Sequence, residues 1–361
     1  MADLENIMSV ASADIHSILG VARADINTVM GVTMPSLSDW KGTRAIIMGG
    51  YSYNSGGSER STDNVQYKTL TTDGNTADFG DLSLSVSFAA GSGSNGTRVV
   101  MGGGRTKAAS NVTNLTQIDY IVAASVGTVG DAGDLNVGAD FASETGASNG
   151  TLCFFVGGTG LLANMEQMNI STTGGSTDAG DIDAGTSIVH SSSNGDSKFL
   201  ILGIGYNDGP KTAIDEHNFS TSADSSGYGE VASVGIGNSG VVCATNRVVT
   251  AGGVQTSGTR GTRMQFFPVA SAAEGDADDE ADIVAAVTGP GGTSDGTRGE
   301  WYGGYGTQTP VGFFQNDIQK VTIASLSNAT DIGDLTTAQF ASDYYEVGDA
   351  GGIAAAATQT A

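Results

Sequence analysis

Few residues in this 361-residue sequence have the types and spacing that enzyme or metal chemistry requires. The three histidines, His16, His190 and His217, lie far apart and form no His-x-x-His or His-x-x-Glu pair. The two cysteines, Cys153 and Cys243, lie beside short apolar stretches, and we expect buried free thiols that behave as small hydrophobic groups. The sequence therefore predicts a protein that is not an enzyme and that has no metal site and no cofactor.

One acidic run could attract a cation. Residues 276–282 read DADDEAD, but a calcium site needs oxygen ligands that converge around a turn glycine. We therefore favour a solvated acidic loop and leave calcium binding as the alternative.

Composition and charge exclude several classes of protein. The net charge is −24, with 39 acidic against 15 basic residues, so the chain should be repelled by nucleic acid and by anionic membranes. No apolar run approaches the roughly 20 residues that span a bilayer, and the acidic start MADLEN lacks the basic region of a secretory signal. We expect neither nucleic-acid binding nor membrane insertion.

Residues 1–35 differ from the rest of the chain and carry an 11-residue repeat. Eleven residues make three helical turns, so one apolar stripe would persist along a helix, while Gly20 and Gly31 favour short helices broken by extended links. We expect a partly helical N-terminal arm that docks onto another protein or onto copies of itself; packing on its own domain is the alternative. The expected docking residues are Ile7, Val10, Ile15, Ile18, Val21, Ile26, Val29 and Val32.

The remainder, residues 36–361, contains a longer repeat. A polar turn, a short strand and a glycine pair recur six times, as in NGTRVVMGGG from Asn95, and each copy is followed by three more predicted strands. Four short strands in a unit of about 50 residues are typical of a β-propeller blade. The predicted units are 44–97, 98–151, 152–196, 197–246, 247–297 and 298–350.

The fold predicted from this repeat is an all-β, six-bladed propeller with four-stranded blades, with seven blades as the alternative. Residues 340–358 are expected to close the ring, with 340–347 pairing with the first blade and 353–358 adding a strand. The glycine pairs are expected where strands crowd together near the axis, because a backbone without Cβ fits there.

Two further features recur in the units. An acidic turn of the type DAGDL follows the strand pair, and an arginine opens the strand after the polar turn in four units. We expect these arginines to pair with the acids of the neighbouring turn, and a ligand-binding ring is the alternative. The four are Arg44, Arg98, Arg247 and Arg298.

The order of turn, glycine-ended strand and second strand over residues 44–350 resembles the kelch-type propellers, although the tryptophan usual near the end of each kelch repeat is missing. The GTRxxxxGG and DFGDL repeats also resemble repeats in structural proteins of marine tailed phages. This resemblance implies a virion protein, in the tail more than in the capsid, whose residues 1–34 bind other virion proteins.

The loops between the glycine-ended strand and the strand that follows it, called here the b–c loops, vary in length and sequence. Variable loops on a uniform scaffold usually carry recognition, and aromatic residues beside Asn, Ser and Thr suit glycans or protein epitopes; ordinary solvated loops are the alternative. The expected binding residues are Tyr51, Tyr53, Tyr206, Tyr305, Phe313 and Phe314.

These observations favour a tail-associated fibre or adhesion propeller that presents its b–c loops to a host surface glycan or protein, with a homo-oligomer as a further possibility. The alternatives are a capsid decoration protein, a glycan-acting propeller enzyme and a cellular kelch-like scaffold.

Overall fold

The structure is a computed structural model. It describes residues 17–18, 21–22, 28–29, 32–33, 44–53, 59–87, 91–108, 111–127, 129–136, 147–156, 163–182, 190–193, 198–202, 213–230, 236–237, 239–244, 247–255, 260–268, 278–306, 313–325, 327–336 and 353–357. Every regular element among these residues is a β-strand.

The described residues of the N-terminal arm form two small hairpins. Their strands are β1 (Ser17–Ile18), β2 (Val21–Ala22), β3 (Thr28–Val29) and β4 (Val32–Thr33). Ile18 pairs with Val21, and Val29 pairs with Val32, so the 11-residue repeat places one hairpin per period. Four of the expected docking residues thus lie in strands and not in a helix. The other four, Ile7, Val10, Ile15 and Ile26, lie outside the described residues.

Residues 44–181 supply fourteen strands. They are β5 (Arg44–Met48), β6 (Tyr51–Tyr53), β7 (Glu59–Thr69), β8 (Ala77–Val86), β9 (Gly91–Ser94), β10 (Arg98–Gly102), β11 (Arg105–Ala108), β12 (Asn111–Asn114), β13 (Gln117–Val122), β14 (Val129–Asp134), β15 (Ala147–Ser148), β16 (Leu152–Val156), β17 (Asn164–Asn169) and β18 (Thr177–Asp181).

Residues 190–357 supply eighteen more. They are β19 (His190–Ser193), β20 (Lys198–Leu202), β21 (Ala213–Asn218), β22 (Ser226–Glu230), β23 (Ile236–Gly237), β24 (Gly240–Ala244), β25 (Arg247–Ala251), β26 (Val254–Gln255), β27 (Arg263–Pro268), β28 (Asp278–Asp282), β29 (Val287–Thr288), β30 (Gly291–Ser294), β31 (Arg298–Tyr302), β32 (Tyr305–Gly306), β33 (Phe313–Phe314), β34 (Asp317–Thr322), β35 (Thr330–Asp334) and β36 (Ile353–Ala357).

The larger sheets are antiparallel and form a β-propeller. We number each by the repeat that supplies its middle strands. Sheet 2 is β9–β10–β13–β14, sheet 3 is β15–β16–β17–β18, sheet 4 is β19–β20–β21–β22, sheet 5 is β24–β25–β27–β28 and sheet 6 is β30–β31–β34–β35. These five are plain four-stranded blades. Sheet 1 is composite: it joins β36 to β5 and β7, and β7 also pairs with β6 and β8.

The sheets are offset from the predicted repeats by one strand. The last strand of each repeat, such as β9 at the end of 44–97, becomes the innermost strand of the next sheet. The polar turn therefore joins the first two strands of one sheet and is not a boundary between sheets. We predicted six four-stranded blades whose boundaries lie at the polar turns. The structure instead has five four-stranded sheets and a composite sheet 1. In sheet 1, the C-terminal strand pairs with the first repeat, Ile353 with Met48 and Ala357 with Arg44. Residues 340–347 lie outside the described part.

The innermost strands pack against one another around the axis, in the order β36, β9, β15, β19, β24, β30 and back to β36. All four residues of β9 are buried, as are all four of β30. A Cβ placed on Gly93 would lie 2.7 Å from Sγ of Cys153, and one on Gly292 would lie 2.1 Å from the carbonyl oxygen of Val241. Glycine is therefore required where the inner strands crowd together.

Apolar side chains fill the seams, which are the interfaces between adjacent sheets. The seam between sheets 1 and 2 buries Ile46 and Phe79 against Val99 and Ile121. The seams between sheets 2 and 3, 3 and 4, 5 and 6, and 6 and 1 have corresponding cores. The core of the molecule is thus a set of layers between blades, because a single blade cannot cover its own two faces.

Backbone hydrogen bonds also cross the seams. At the seam between sheets 2 and 3, the amides of Gly174 and Ser176 donate to the carbonyl oxygens of Ala132 and Asp134, at 2.9 and 3.0 Å. The acidic DAGD turn holds the required bulge, since the carboxylate of Asp131 accepts the amide of Gly133 at 2.7 Å. Gly133 itself has a φ of 111°.

Gly133 and Gly174 offer a matched test of this contact. Both have positive φ, but a Cβ on Gly133 would lie 2.2 Å from the amide nitrogen of Gly175, whereas one on Gly174 meets nothing within 4 Å. Gly174→Ala should cost only the backbone strain, about 1 kcal/mol, and Gly133→Ala about 1–3 kcal/mol more because it also overpacks the seam. Denaturant titration of both variants measures the difference, and equal losses would contradict this account.

His217 lies in an aromatic cluster at the seam between sheets 3 and 4. Its ring centroid is 5.2 Å from those of Phe154 and Phe199, and Nε2 is 3.3 Å from the carbonyl oxygen of Thr221. Burial lowers the pKa of His217 below its ordinary value of 6.5, although the contact with Thr221 opposes this. The surroundings favour the neutral ring, which makes His217 a core residue.

The lowered pKa of His217 predicts acid sensitivity. Because the unfolded chain binds the proton near pH 6.5 and the folded chain does so only at lower pH, stability is retained above that pH and lost as the pH falls below it. Melting curves at pH 7.5 and at lower pH should therefore show a smaller drop for His217→Phe than for the unaltered protein. An equal drop in both proteins would show that His217 does not contribute to acid sensitivity.

Candidate functional surfaces

The b–c loops leave one face of the ring as hairpins. β6 pairs with the start of β7, β11 pairs with β12, and β32 pairs with β33. The predicted binding residues Tyr51 and Tyr53 lie on the first of these hairpins, and Tyr305, Phe313 and Phe314 lie on the last. Tyr206 lies outside the described residues. The structure thus places five of the six on extended hairpins of the same face.

The chain that crosses from one sheet to the next fixes the base of these hairpins. Ser87 forms a bridge with Arg105, Thr288 pairs with Tyr305, and Gly237 pairs with Val254. The hydroxyl groups of Ser61 and Ser87 are also 2.8 Å apart. Each of these loops therefore begins from a hydrogen-bonded base, and the variable residues follow beyond it.

Tyr305 is less exposed to solvent than we expected of a ligand-binding residue. Its side chain is 8% exposed, and the guanidinium of Arg260 lies 4.3 Å from the ring centroid. Arg260 belongs to the b–c loop of sheet 5, whereas Tyr305 starts the loop of sheet 6. The contact therefore connects two neighbouring loops, and Tyr305 supports the surface more than it presents a ring to a ligand.

The opposite face is uniform. In the turns before β10, β16 and β31, the side-chain oxygen of Asn95, Asn149 or Asp295 accepts two backbone amides at 2.7 to 3.0 Å. The third residue of each turn, Thr97, Thr151 or Thr297, is exposed. Since the same short turn recurs, this face lacks the variety of the b–c loops.

The repeated arginines do not bind the acids of the neighbouring DxGDL turns, so the predicted pairing is wrong. Nη1 of Arg98 donates to the carbonyl oxygens of Ile170 and Thr172 across the seam, both at 3.2 Å, while its guanidinium lies 3.9 Å from the ring centroid of Tyr120. Arg44, Arg247 and Arg298 also donate to carbonyl groups of the next sheet. The carboxylate of Asp131 instead accepts the amide of Gly133 in its own turn. The arginines donate to the carbonyl groups at the strand ends of the next sheet.

Buried polar side chains also recur, at the bulge in the third strand of each sheet. Gln66, Asp119, Glu166, Asp215, Gln265 and Gln319 hold this place and are 0–6% exposed. Several accept a hydrogen bond across the seam: Glu166 from the amide of Asn136 at 2.8 Å, and Gln319 from the amide of Val284 at 2.6 Å. Glu166 and Gln319 thereby connect adjacent sheets.

Asp119 illustrates their electrostatics. Burial raises the pKa of its carboxyl group, and hydrogen bonds from Gln117 and Ser83 oppose the rise. The Ser83 hydroxyl donates to Asp119 at 2.9 Å from the neighbouring sheet. A raised acid pKa is often a sign of catalysis, but here the carboxyl group acts as a structural acceptor.

The most unusual buried group lies at the seam between sheets 6 and 1, which we call the closing seam. Nζ of Lys68 lies 2.9 and 2.8 Å from the two carboxylate oxygens of Glu300, and their side chains are 3% and 0% exposed. The hydroxyl of Tyr302 also donates to Glu300. Burial raises the pKa of Glu300, and Lys68 and Tyr302 oppose this effect; burial and Glu300 raise the pKa of Tyr302.

Sequence reasoning missed the pair of Lys68 and Glu300, because repeats must be aligned residue by residue to see it.

The remaining candidates for chemistry stay separate. Cys153 is fully buried, which raises its thiol pKa. Among the described residues, no three His, Cys, Asp or Glu side chains are placed to hold a metal ion, and residues 278–282 of the acidic run form the strand β28. The described part also contains no helix that is long and apolar enough to cross a membrane.

Comparison with known proteins establishes the fold and nothing finer. No family model matches the sequence, and no curated protein matches it. The solved structure described as "Structure of YjhT", a β-propeller, is similar over 72% of this chain and 88% of that chain, with a TM-score of 0.54 and 12% sequence identity. The chain is thus similar in fold to a known β-propeller.

Proposed function

We propose that this protein is a non-enzymatic structural protein of a tailed-phage virion, in which the N-terminal arm anchors a propeller that presents its b–c loops to the host surface. A tail-associated fibre or adhesion role is preferred over capsid decoration. Placement in a virion rests on the resemblance of the repeats to those of marine phage structural proteins, and kelch-type ancestry rests on the order of turn, strand and glycine pair.

The observation that carries the proposal is the division of the chain into a ring that closes on itself and an arm that cannot be stable alone. Contacts between sheets 6 and 1, such as Leu70 packed with Tyr302 and Leu335, close the ring without the arm. By contrast, the arm hairpins have strands of two residues each, and an isolated two-stranded hairpin is marginal at best in water. The arm therefore needs a partner.

The blade count forms part of the proposal. If sheet 1 is counted as a blade with β36 as its innermost strand, the ring has six blades, and the six inner strands contact one another in cyclic order. A ring of this kind has two faces of different character. The face with uniform turns suits packing against a particle, while the variable b–c loops suit recognition.

Deletion of residues 2–34 tests the anchoring role. The truncated chain should fold as a soluble propeller, because the closing seam needs only residues beyond the arm, but it should be lost from purified particles. Mass spectrometry of virions from a host that supplies either form measures incorporation. Normal incorporation of the truncated chain, or absence of the full-length chain from virions, would sink the proposal; the second result would favour a cellular scaffold.

Substitutions on the two faces test recognition. Tyr51→Ala combined with Tyr53→Ala should reduce adsorption of particles to host cells and leave incorporation unchanged. The matched control is Thr97→Ala, Thr151→Ala and Thr297→Ala on the uniform face, which should alter neither. Equal adsorption by both variants would contradict a binding role for this loop, and release of sugar products by the purified protein would favour the enzyme alternative.

A further inference from the structure

The closing seam differs from the other seams at one structurally equivalent position. In sheets 1, 2, 3, 5 and 6, the third residue of the second strand lies at the seam with the third strand of the next sheet. At the seam of sheets 1 and 2 the two residues at this position are Ile46 and Ile121, and at the seam of sheets 5 and 6 they are Val249 and Val321; each pair belongs to one buried apolar cluster. At the closing seam the two residues are Glu300 and Lys68, which form an ion pair.

The equivalence follows from the strand register. Lys68 pairs with Ala45, Ile121 with Val99 and Val321 with Gly299, so the three residues hold one position in their sheets. The seams of sheets 2 and 3 and of sheets 3 and 4 place Val100 near Met168 and Phe154 near His217. Among the described seams, two oppositely charged side chains meet at this position only where the first repeat meets the last.

The surroundings of the pair make it costly to break. Lys68 also donates to the carbonyl oxygen of Thr72 at 3.1 Å, and Tyr302 satisfies a further lone pair of Glu300. At the rim, Asp73 of sheet 1 lies 2.5 Å from Nζ of Lys320 and 3.7 Å from Nη1 of Arg298, both of sheet 6. The exposed contacts contribute little, whereas removal of one member of a buried pair leaves an unpaired charge.

We propose that the buried pair of Lys68 and Glu300 is an assembly label that identifies the first and last repeats as partners and so determines where the ring closes. The repeats are similar enough that early closure is a real competitor. If sheet 5 closed on sheet 1, Lys68 would be buried against Val249; if sheet 6 closed on sheet 2, Glu300 would be buried against Ile121. Either error buries an uncompensated charge, which opposes the wrong ring.

The proposal concerns selectivity and not stability, because a buried ion pair is often no more stabilising than apolar residues of similar size. This separates it from a purely structural role. An apolar closing seam should be as stable as the native seam once formed, but it should no longer exclude incorrect partners. The proposal is independent of the virion function, since it concerns only how the full chain folds.

The central experiment refolds the full chain from denaturant with an apolar closing seam. The variant carries Lys68→Ile, Glu300→Val and Tyr302→Phe, the last to avoid an unsatisfied buried hydroxyl. Unaltered protein should refold to one monomeric species, whereas the variant should yield oligomers together with monomers in which the displaced sixth repeat is cut readily by protease. Size-exclusion chromatography with light scattering and limited proteolysis measure both products.

Two controls keep the result interpretable. The charge swap Lys68→Glu with Glu300→Lys retains the label and should refold to a single monomer. The single change Glu300→Gln should raise the unfolding equilibrium constant roughly 100-fold or more, because it leaves Lys68 buried without its counter-charge. The proposal is overturned if the apolar variant refolds to one monomer with the native yield and protease pattern, or if Glu300→Gln leaves stability unchanged.

Discussion

The whole ring depends on how closely the backbone of one sheet approaches the turn of the next. A blade of four short strands has two apolar faces, and only neighbouring blades can cover them. At the seam of sheets 2 and 3, the bulge at Gly133 admits the backbone of Gly175, and Asp131 holds that bulge in shape. The acidic turns are therefore elements of the interface, which explains why an acidic motif recurs without forming a metal site among the described residues.

The polar groups inside the seams form directional hydrogen bonds that orient adjacent sheets relative to each other. Glu166 and Gln319 each accept a main-chain amide from the preceding sheet, and Arg98 donates to main-chain carbonyls of the following sheet. Such contacts fix the distance and the register between sheets, which apolar side chains alone specify poorly. The closing seam uses the same layout, with a charged pair in place of two apolar side chains, so the ends of the ring differ chemically from its interior.

Much of the fold could be predicted because short local sequence motifs define the repeat. Polar turns, alternating strands and glycine pairs each have a local physical cause, and the all-β propeller follows from their order. The glycine pairs were predicted only in part. Gly49 has a φ of 65°, and a Cβ there would lie 2.6 Å from the carbonyl oxygen of Val86, so a close approach does require glycine. That approach is to the end of β8, however, and the glycines that crowd among the inner strands are others, such as Gly93 and Gly292. The blade boundaries could not be predicted in the same way, because a strand such as β9 pairs across a repeat boundary and nothing in its own sequence says so. The predicted arginine contacts were wrong for a related reason: the acceptors are main-chain carbonyl groups, which every residue has, so the side-chain pattern does not indicate them.

The candidate site was predictable only as a region. Loop variability pointed to the b–c face, and the structure does place hairpins there, but the sequence could not show that Arg260 covers Tyr305.

The sequence also could not show which potentially reactive side chains are buried. His217, Cys153 and the buried acids are the groups that a search for a catalyst would select, yet each is engaged in a seam or at the axis, where burial opposes charge on the thiol, the ring or the carboxyl group. The ring therefore uses these groups to hold its blades together, and under the proposed function recognition is assigned to the variable loops and the arm.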